Sequence, residues 1–205
     1  MLYPNGRLII FAKAPTAGKV KTRLIPALTA EQAAGLSQQL IKNTLSKFTA
    51  QQLLPVELWC APDSHHSFFN DCAQQFPVVL KNQTGSDLGA RMENAITATL
   101  KHSKWAIIIG TDCPELDDND LEHAMLALEN GNDAVIQPAN DGGYVLIGLK
   151  QCEPDLFRGI DWGTSQVFSQ TRQKLNDLGW SWKQLESRQD IDRPEDLKHL
   201  NIAIS

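Results

Sequence analysis

The sequence lacks a membrane span, because no apolar run approaches the roughly 18 consecutive residues that one needs. It also lacks an excess of positive charge, with 19 Lys and Arg against 24 Asp and Glu and a net charge of −5. Surfaces built for nucleic acid concentrate positive charge, so no nucleic-acid partner is expected. Cysteine is sparse: Cys60, Cys72, Cys113 and Cys152 form no C-x-x-C pair, and no His spacing completes a zinc site. They are expected to be reduced and structural, as in a cytoplasmic protein. The first residues, MLYPNGRLIIFAKAP, lack a basic start, a long apolar stretch and a small-residue cleavage site. No secretory signal is therefore expected. No G-x-G-x-x-G follows the first strand candidate, which argues against a dinucleotide-dependent oxidoreductase.

What remains is the composition of an ordinary folded protein, 42% apolar and 21% charged over 205 residues. That balance excludes a disordered chain. The length suits one domain over residues 1–205, large enough to bury on the order of 70% of the unfolded chain's surface.

Short apolar runs alternate with helical patterns. Arg7–Lys13 is a buried strand candidate, too short for a helix. Thr29 and Gln32 fit a capping box that starts a helix through Phe48. Val56–Cys60 and Pro77–Leu80 read as strands around a short helix at Ser64–Gln75. Ser86 could cap a helix that turns Leu88, Met92, Ala95, Ile96 and Thr99 inward. Trp105–Ile109 is the clearest buried strand, followed by a helix over Asp120–Glu129. Ala134–Gln137 and Tyr144–Leu149 are strands flanking a turn at Asn140–Gly143. A helix over Ser165–Leu178, a strand at Trp180–Leu185 and a helix at Pro194–Leu200 complete the chain. The alternation predicts an α/β fold with a mainly parallel sheet covered on both faces. The two close strands around Asp141–Gly143 predict that the sheet is mixed.

Five features carry chemistry. Lys13, Lys19, Lys21 and Arg23 fall within eleven residues after the first strand, in a loop that also holds Gly18. Ligands of open α/β sheets bind outside the carboxyl ends of the strands. Cations there suit a polyphosphate, although a solvated basic loop has the same composition. The loop is not a Walker A motif, since Lys13 stands at the first Gly position and Val20 follows Gly18-Lys19. Asp112 follows the apolar strand and the pair Gly110-Thr111. It can hold Mg²⁺ together with substrate phosphates, or simply cap a turn before Pro114. Cys113 beside it has no His nearby in sequence to activate it.

Gln83, Gly85, Asp87 and Arg91 form Q-x-G-x-D-L-G-x-R, where Asp87, Arg91 and Asn94 share a helix face. They suit base or sugar hydroxyls, or Asp87 and Arg91 form a surface ion pair. Asp141-Gly142-Gly143-Tyr144 is a strong turn signal, and the Gly pair could let a sugar pack on backbone. Asp190 and Asp192 precede Pro194. Helix capping accounts for one of them and leaves the other, Asp192, as a second metal-ligand candidate.

Taken in order, F-A-K-A-P-T-A-G-K-V-K-T-R-L, Q-T-G-S-D-L-G-A-R-M, I-I-G-T-D-C-P-E-L, D-G-G-Y-V-L-I-G-L and D-I-D-R-P-E-D-L resemble the DUF2064 family. Its members are described as glycosyltransferase-like, and some are assigned to arsenosugar biosynthesis. The resemblance runs from about Leu8 to Leu197. It implies a nucleotide-diphospho-sugar transferase, or GT-A-like, fold: a three-layer α/β/α sandwich with a mixed, mainly parallel sheet. It also implies kinship with phospholactate guanylyltransferases and molybdenum-cofactor nucleotidyltransferases. By the first motif, Lys13, Gly18, Lys19, Lys21 and Arg23 lie at the phosphates. By the second, Gln83, Gly85 and Asp87 lie near the base or sugar. Arg91, Asp141, Gly142, Gly143 and Tyr144 are then expected at the sugar or acceptor. Lys21, Arg23 and Asp112 are the expected catalytic groups, with Mg²⁺ or Mn²⁺ held by Asp112 and Asp192.

Two departures stand out. A GT-A glycosyltransferase usually carries D-x-D, whereas Asp112 is followed by Cys113-Pro114, closer to the nucleotidyltransferase form. Asp161 stands where Pro is expected, as either a local ligand or a surface change. The expected activity is a Mg²⁺-dependent transferase using an activated nucleotide, with transfer of a sugar from a nucleotide-sugar to a small acceptor ahead. Its alternatives are nucleotidyl transfer from an NTP to a phosphorylated small molecule, and a non-catalytic nucleotide-binding module. A cytoplasmic protein free of nucleic acid and membrane is expected, with a homodimer allowed.

Overall fold

A computed structural model of the protein describes residues 2–200. Residues 1 and 201–205 of the expected 1–205 unit lie outside the described residues. Seven strands form one sheet in the order β3-β2-β1-β4-β6-β5-β7. They are β1 Gly6–Lys13, β2 Val56–Ala61, β3 Val78–Asn82, β4 Trp105–Ile109, β5 Ala134–Pro138, β6 Tyr144–Leu149 and β7 Trp182–Gln184. Five helices connect them: α1 Ala30–Ala50, α2 Ser67–Gln75, α3 Leu88–Leu100, α4 Asp118–Glu129 and α5 Val167–Asp177. Among the described residues, no helix is long and apolar enough to cross a membrane.

The strands alternate their side chains between two cores, as the period of two requires. Leu8 and Ile10 of β1 join α1, α2 and α4 through Ile41, Leu45, Phe69 and Met125. Ile9, between them, joins α3 and α5 through Met92, Ala95, Ile96 and Leu175 on the opposite face. The result is the expected α/β/α sandwich. β4 is buried along its whole length, which explains why it reads as an unbroken apolar run, and β2 is as fully buried although it carries Glu57, whose carboxylate accepts from Trp59 and Thr99.

β6 runs antiparallel to both its neighbours, β4 and β5. The chain leaves β5 through the Asn140–Gly143 turn and returns at once into the gap beside β4. The mixed sheet foreseen from that turn is therefore present. From β1 the chain winds outward to β2 and β3, then crosses back to β4 on the other side of β1. That reversal puts a switch point between β1 and β4, where the following loops diverge and open a crevice.

Local signals hold in most places. Thr29 and Gln32 make the capping box that starts α1. The third helix is different: Asp87, not Ser86, is its cap, with its carboxylate accepting the Ala90 N–H at 2.8 Å. A carboxylate is also favoured at a helix N-terminus by the dipole. Leu88 is not turned inward but stays 44% exposed. The last segment, Pro194–His199, is a 3₁₀ helix, and Asp196 accepts the Asp192 and Arg193 N–H groups at its start. Neither Asp190 nor Asp192 serves as a cap.

Asp120 in the first turn of α4 is buried and binds Arg188 in a fork, at 2.9 Å to Nε and 2.7 Å to Nη2. Gln137 adds a third donor at 2.7 Å and the Asp117 N–H a fourth at 3.1 Å. Burial pushes the Asp120 carboxyl up, but the bonds from Arg188, Gln137 and Asp117 outweigh it and hold it below the usual range. A depressed folded pKa contributes stability above the unfolded value, which is lost as pH falls through the folded one. Asp120→Asn is expected to cost about 3 kcal/mol at neutral pH, because it strands the Arg188 charge. Urea titration should show the wild-type advantage shrinking below about pH 4, where the unfolded carboxyl takes up its proton.

Candidate functional site

The crevice between β1 and β4 is a cleft of about 460 Å³. Its floor is the carboxyl end of β1 (Phe11, Ala12, Lys13) and the turn after β4 (Gly110, Thr111, Asp112). Because β6 is antiparallel, its first residues, Tyr144 and Val145, reach the same edge.

The cationic loop folds over one side. Ala14, Val20 and Leu24 are buried, so they pin the loop at three points. Lys13, Lys19, Lys21 and Arg23 alternate with these anchors and line the cleft. Lys21 has a left-handed backbone, φ 49°, which a non-glycine residue adopts at a cost of order 1 kcal/mol. Its side chain is only 5% exposed and meets Asp112 at 2.9 Å. Its Nζ also donates to the Ile191 carbonyl. This backbone holds the ammonium group between Asp112 and the Ile191 carbonyl.

The acidic groups of the cleft come from other segments of the chain. Ile191 is fully buried with Leu24, Leu36 and Leu40, and its N–H donates to the Asp112 carbonyl at 2.8 Å. Its neighbours Asp190 and Asp192 both line the cleft. Asp192 pairs with Arg23, and the hydrogen bond that Arg23 donates to it holds the guanidinium pKa up. Asp190, which sequence pattern alone marks only as a helix cap, also faces the cleft. Burial, and then the charges of Asp141, Asp192 and Asp112, push its carboxyl up to about 6. Its signal was the D-I-D spacing: alternate residues around a buried Ile191 face the same way.

This donor set suits a hard divalent cation. No three His, Cys, Asp or Glu side chains among the described residues are grouped closely enough to hold a metal alone. Mg²⁺ ordinarily takes one or two carboxylates and completes its shell with water and substrate phosphates. Asp112 and Asp192, with Asp190 facing both, fit that sharing. Each of the first two is neutralised here by a side chain from the cationic loop.

The remaining candidates divide. Gln83 lines the cleft, but its amide donates to the Ala12 and Trp59 carbonyls, at 3.2 and 2.8 Å, and so ties β1 to β2. Gly18, Gly85, Asp87 and Arg91 do not line it. Gly85 has φ 143°, and a side chain there would meet the Ala90 backbone at 2.7 Å. Asp87 is spent on its cap, and Arg91 Nε reaches the Gly85 carbonyl at 3.4 Å rather than pairing with Asp87. Tyr144 lines the cleft with its hydroxyl turned toward Met92 Sδ at 3.9 Å, and burial pushes its pKa up. Asp141 lies beside Asp190 and Asp192 in an adjoining hollow of about 290 Å³. The Gly pair does not offer backbone to a sugar at Gly142, which has φ 93° and where a Cβ would stand 2.3 Å from the Ser165 carbonyl oxygen. The chain's own loop occupies that approach. Asp161 exchanges two hydrogen bonds with Gln170, at 2.7 and 2.8 Å, and is a local tie.

Sequence reading did not foresee Leu88 and Phe11 as lining residues. With Tyr144 they give the cleft apolar as well as charged lining.

The fold is that of nucleotide-diphospho-sugar transferases. A candidate nucleotide-diphospho-sugar transferase from Desulfovibrio desulfuricans is 30% identical, with a TM-score of 0.86 over 95% of this chain and 85% of that one. The family model described as "Uncharacterized protein conserved in bacteria (DUF2064)" matches residues 44–164. The chain belongs to the DUF2064 family. The matched span holds Asp112 but neither the cationic loop nor Asp192. More distant structures share the fold alone. A 4-diphosphocytidyl-2C-methyl-D-erythritol synthase from Anaerococcus prevotii is 13% identical, with a TM-score of 0.62 over 97% of both chains. A cytidylyltransferase from Leptospira borgpetersenii is 12% identical, with a TM-score of 0.59 over 98% of this chain and 89% of that one. No curated protein matches the chain.

Cys113 sits between Asp112 and Pro114, yet burial pushes its thiol up to about 12. Thiolate is the reactive form, so the residue should be inert. Iodoacetamide at pH 8 is expected to leave Cys113 unmodified in the native protein and to label it after unfolding. Peptide mass spectrometry reads the difference.

Proposed function

We propose that the protein is a Mg²⁺-dependent transferase that takes its activated group from a nucleotide and most simply moves a sugar from a nucleotide-sugar to a small acceptor. One observation carries this reading. Four cations of one loop and the carboxylates of Asp112, Asp190 and Asp192 line a single cleft at the sheet's switch point, with Lys21 paired to Asp112 and Arg23 to Asp192. Such an arrangement suits a diphosphate carrying a divalent ion, with each sign of charge meeting its opposite. The similarity to a candidate nucleotide-diphospho-sugar transferase over 95% of the chain supports the sugar version.

In this reading Lys13 and Lys19 attract the polyphosphate from solvent. Lys21 and Arg23 leave Asp112 and Asp192 and turn to the phosphate oxygens, which frees both carboxylates for the ion. Lys21 then donates a hydrogen bond to an oxygen that gains charge as the bond to the sugar breaks. Such preorganised donors stabilise the transition state more than the ground state. Bound Mg²⁺, or Mn²⁺ in its place, supplies Lewis-acid stabilisation of the departing diphosphate. The lining of Phe11, Leu88 and Tyr144 offers apolar surface to the base or sugar ring.

A second reading, nucleotidyl transfer, has its own support. Asp112 is followed by buried Cys113 and by Pro114, not by a second carboxylate. Four cations are also more than a diphosphate needs, and they suit a triphosphate. Here a substrate phosphate attacks the α-phosphorus and pyrophosphate leaves.

The products separate the two. Release of a nucleoside diphosphate from UDP-, GDP- or ADP-sugars selects sugar transfer, whereas pyrophosphate from an NTP and a phosphorylated acceptor selects nucleotidyl transfer. Nucleotide binding without turnover would point to a binding module instead. Asp112→Asn should lower kcat by about 100-fold or more in either reaction, and Lys21→Met by about 10- to 100-fold. Full activity in Asp112→Asn would remove the metal assignment. A thermal-shift screen of nucleotides with and without Mg²⁺ finds the ligand, since stabilisation follows affinity.

A further inference from the structure

We propose that Asp120 and Arg188, which line no part of the cleft, are positioning residues that set where Asp190 and Asp192 stand. Both line a separate hollow of about 660 Å³ beside α4. Arg188 stands two residues before Asp190, and its main chain extends the edge of the sheet. It bridges to Ala139, its N–H donates to the Pro138 carbonyl at 3.0 Å, and its carbonyl accepts the Asn140 N–H at 3.1 Å. From there the chain runs through Gln189, whose N–H meets Glu115 at 3.0 Å, to Ile191 and its bond to the Asp112 carbonyl.

The guanidinium fork on Asp120 is what keeps the start of this run from sliding. A bidentate pair defines direction as well as distance. Asp120 is itself held by the α4 capping box and by Gln137 of β5, so its carboxylate has no freedom to follow a shift. A displacement of Arg188 along the sheet edge would carry Asp190 and Asp192 with it. α4 and β5 are thereby coupled to the acidic groups of the cleft without touching them. The consequence in the cleft rests on the transferase reading, whereas the coupling itself does not.

Hydrogen–deuterium exchange on the full chain tests the coupling, with the Ile191 amide as reporter. Arg188→Met should speed exchange at Ile191 by about tenfold or more relative to Ile96→Ala, a core variant on the opposite face of the sheet with a comparable loss of urea stability, so that the shared loss of global stability cancels and local opening is read. Arg188→Lys, which keeps the charge but loses the fork, should fall between. Exchange at Ile191 within about twofold of that in Ile96→Ala overturns the proposal, because lost global stability alone then accounts for it. If Arg188→Met does not fold, Asp120→Asn provides the same reporter.

Calorimetric titration with inorganic pyrophosphate and Mg²⁺, at a temperature where every variant is folded, tests the consequence. Arg188→Met should bind about fivefold or more weakly, with Arg188→Lys restoring part of the affinity. Unchanged affinity despite a loosened Ile191 overturns the positioning role. If the wild type binds no pyrophosphate with Mg²⁺, the transferase reading fails and exchange alone decides the coupling.

Discussion

The cleft hangs on Ile191. Its side chain is buried against Leu24, Leu36 and Leu40, and its N–H is bonded to the Asp112 carbonyl. Leu24 belongs to the cationic loop, Asp112 to the turn after β4, and Ile191 to the segment with Asp190 and Asp192. One apolar contact and one hydrogen bond thus stitch together three parts of the chain that are far apart in sequence. Burying the apolar residue between two acids is what forces both acids out toward the cleft. Hydrophobic burial, not attraction between charges, brings groups of both signs into one small volume.

That volume is electrostatically unsettled. Burial, and then the charges of three other carboxylates, push Asp190 toward neutrality. Asp112 and Asp192 are neutralised by Lys21 and Arg23, which belong to the same loop. Arg23 is largely exposed, so its pair contributes little to stability and can open readily. Lys21 is nearly buried and sits on a strained backbone. Strain of this kind persists only where surrounding contacts enforce it, and it gathers where function needs a group in one place. A polyphosphate carrying a divalent ion would satisfy both signs at once, with anions for the loop and a cation for the acids.

Much of the framework was legible from local pattern. Trp105–Ile109 announced a central strand because a strand buried on both faces must be apolar throughout. Thr29 and Gln32 announced a helix start because a capping box needs only four residues. Asp112 was legible because a carboxylate directly after such a strand must lie at the sheet's edge. Local pattern was less reliable where two residues could do the same job. Ser86 and Asp87 both suit a cap, and the charged one took it. Leu88 fits the inward stripe of α3 but sits in its first turn, beside the cleft rather than over the sheet. Gly142 looked like room for a ligand, whereas it is room for Ser165.

By itself, the sequence determined the strands, the helices, the mixed sheet and the family, because each follows from short-range periodicity or from contiguous motifs. It also contained every charged group of the cleft. Which of those groups meet was decided only by the tertiary structure. Lys21 reaches Asp112 and Arg23 reaches Asp192 because β4 lies beside β1 and because the final segment closes over both. Asp190 joined the site, while Gly85, Asp87 and Arg91 were drawn into holding α3. The physical reason is one of range: periodicity records which face a residue presents, whereas partnership depends on how distant segments are packed against each other.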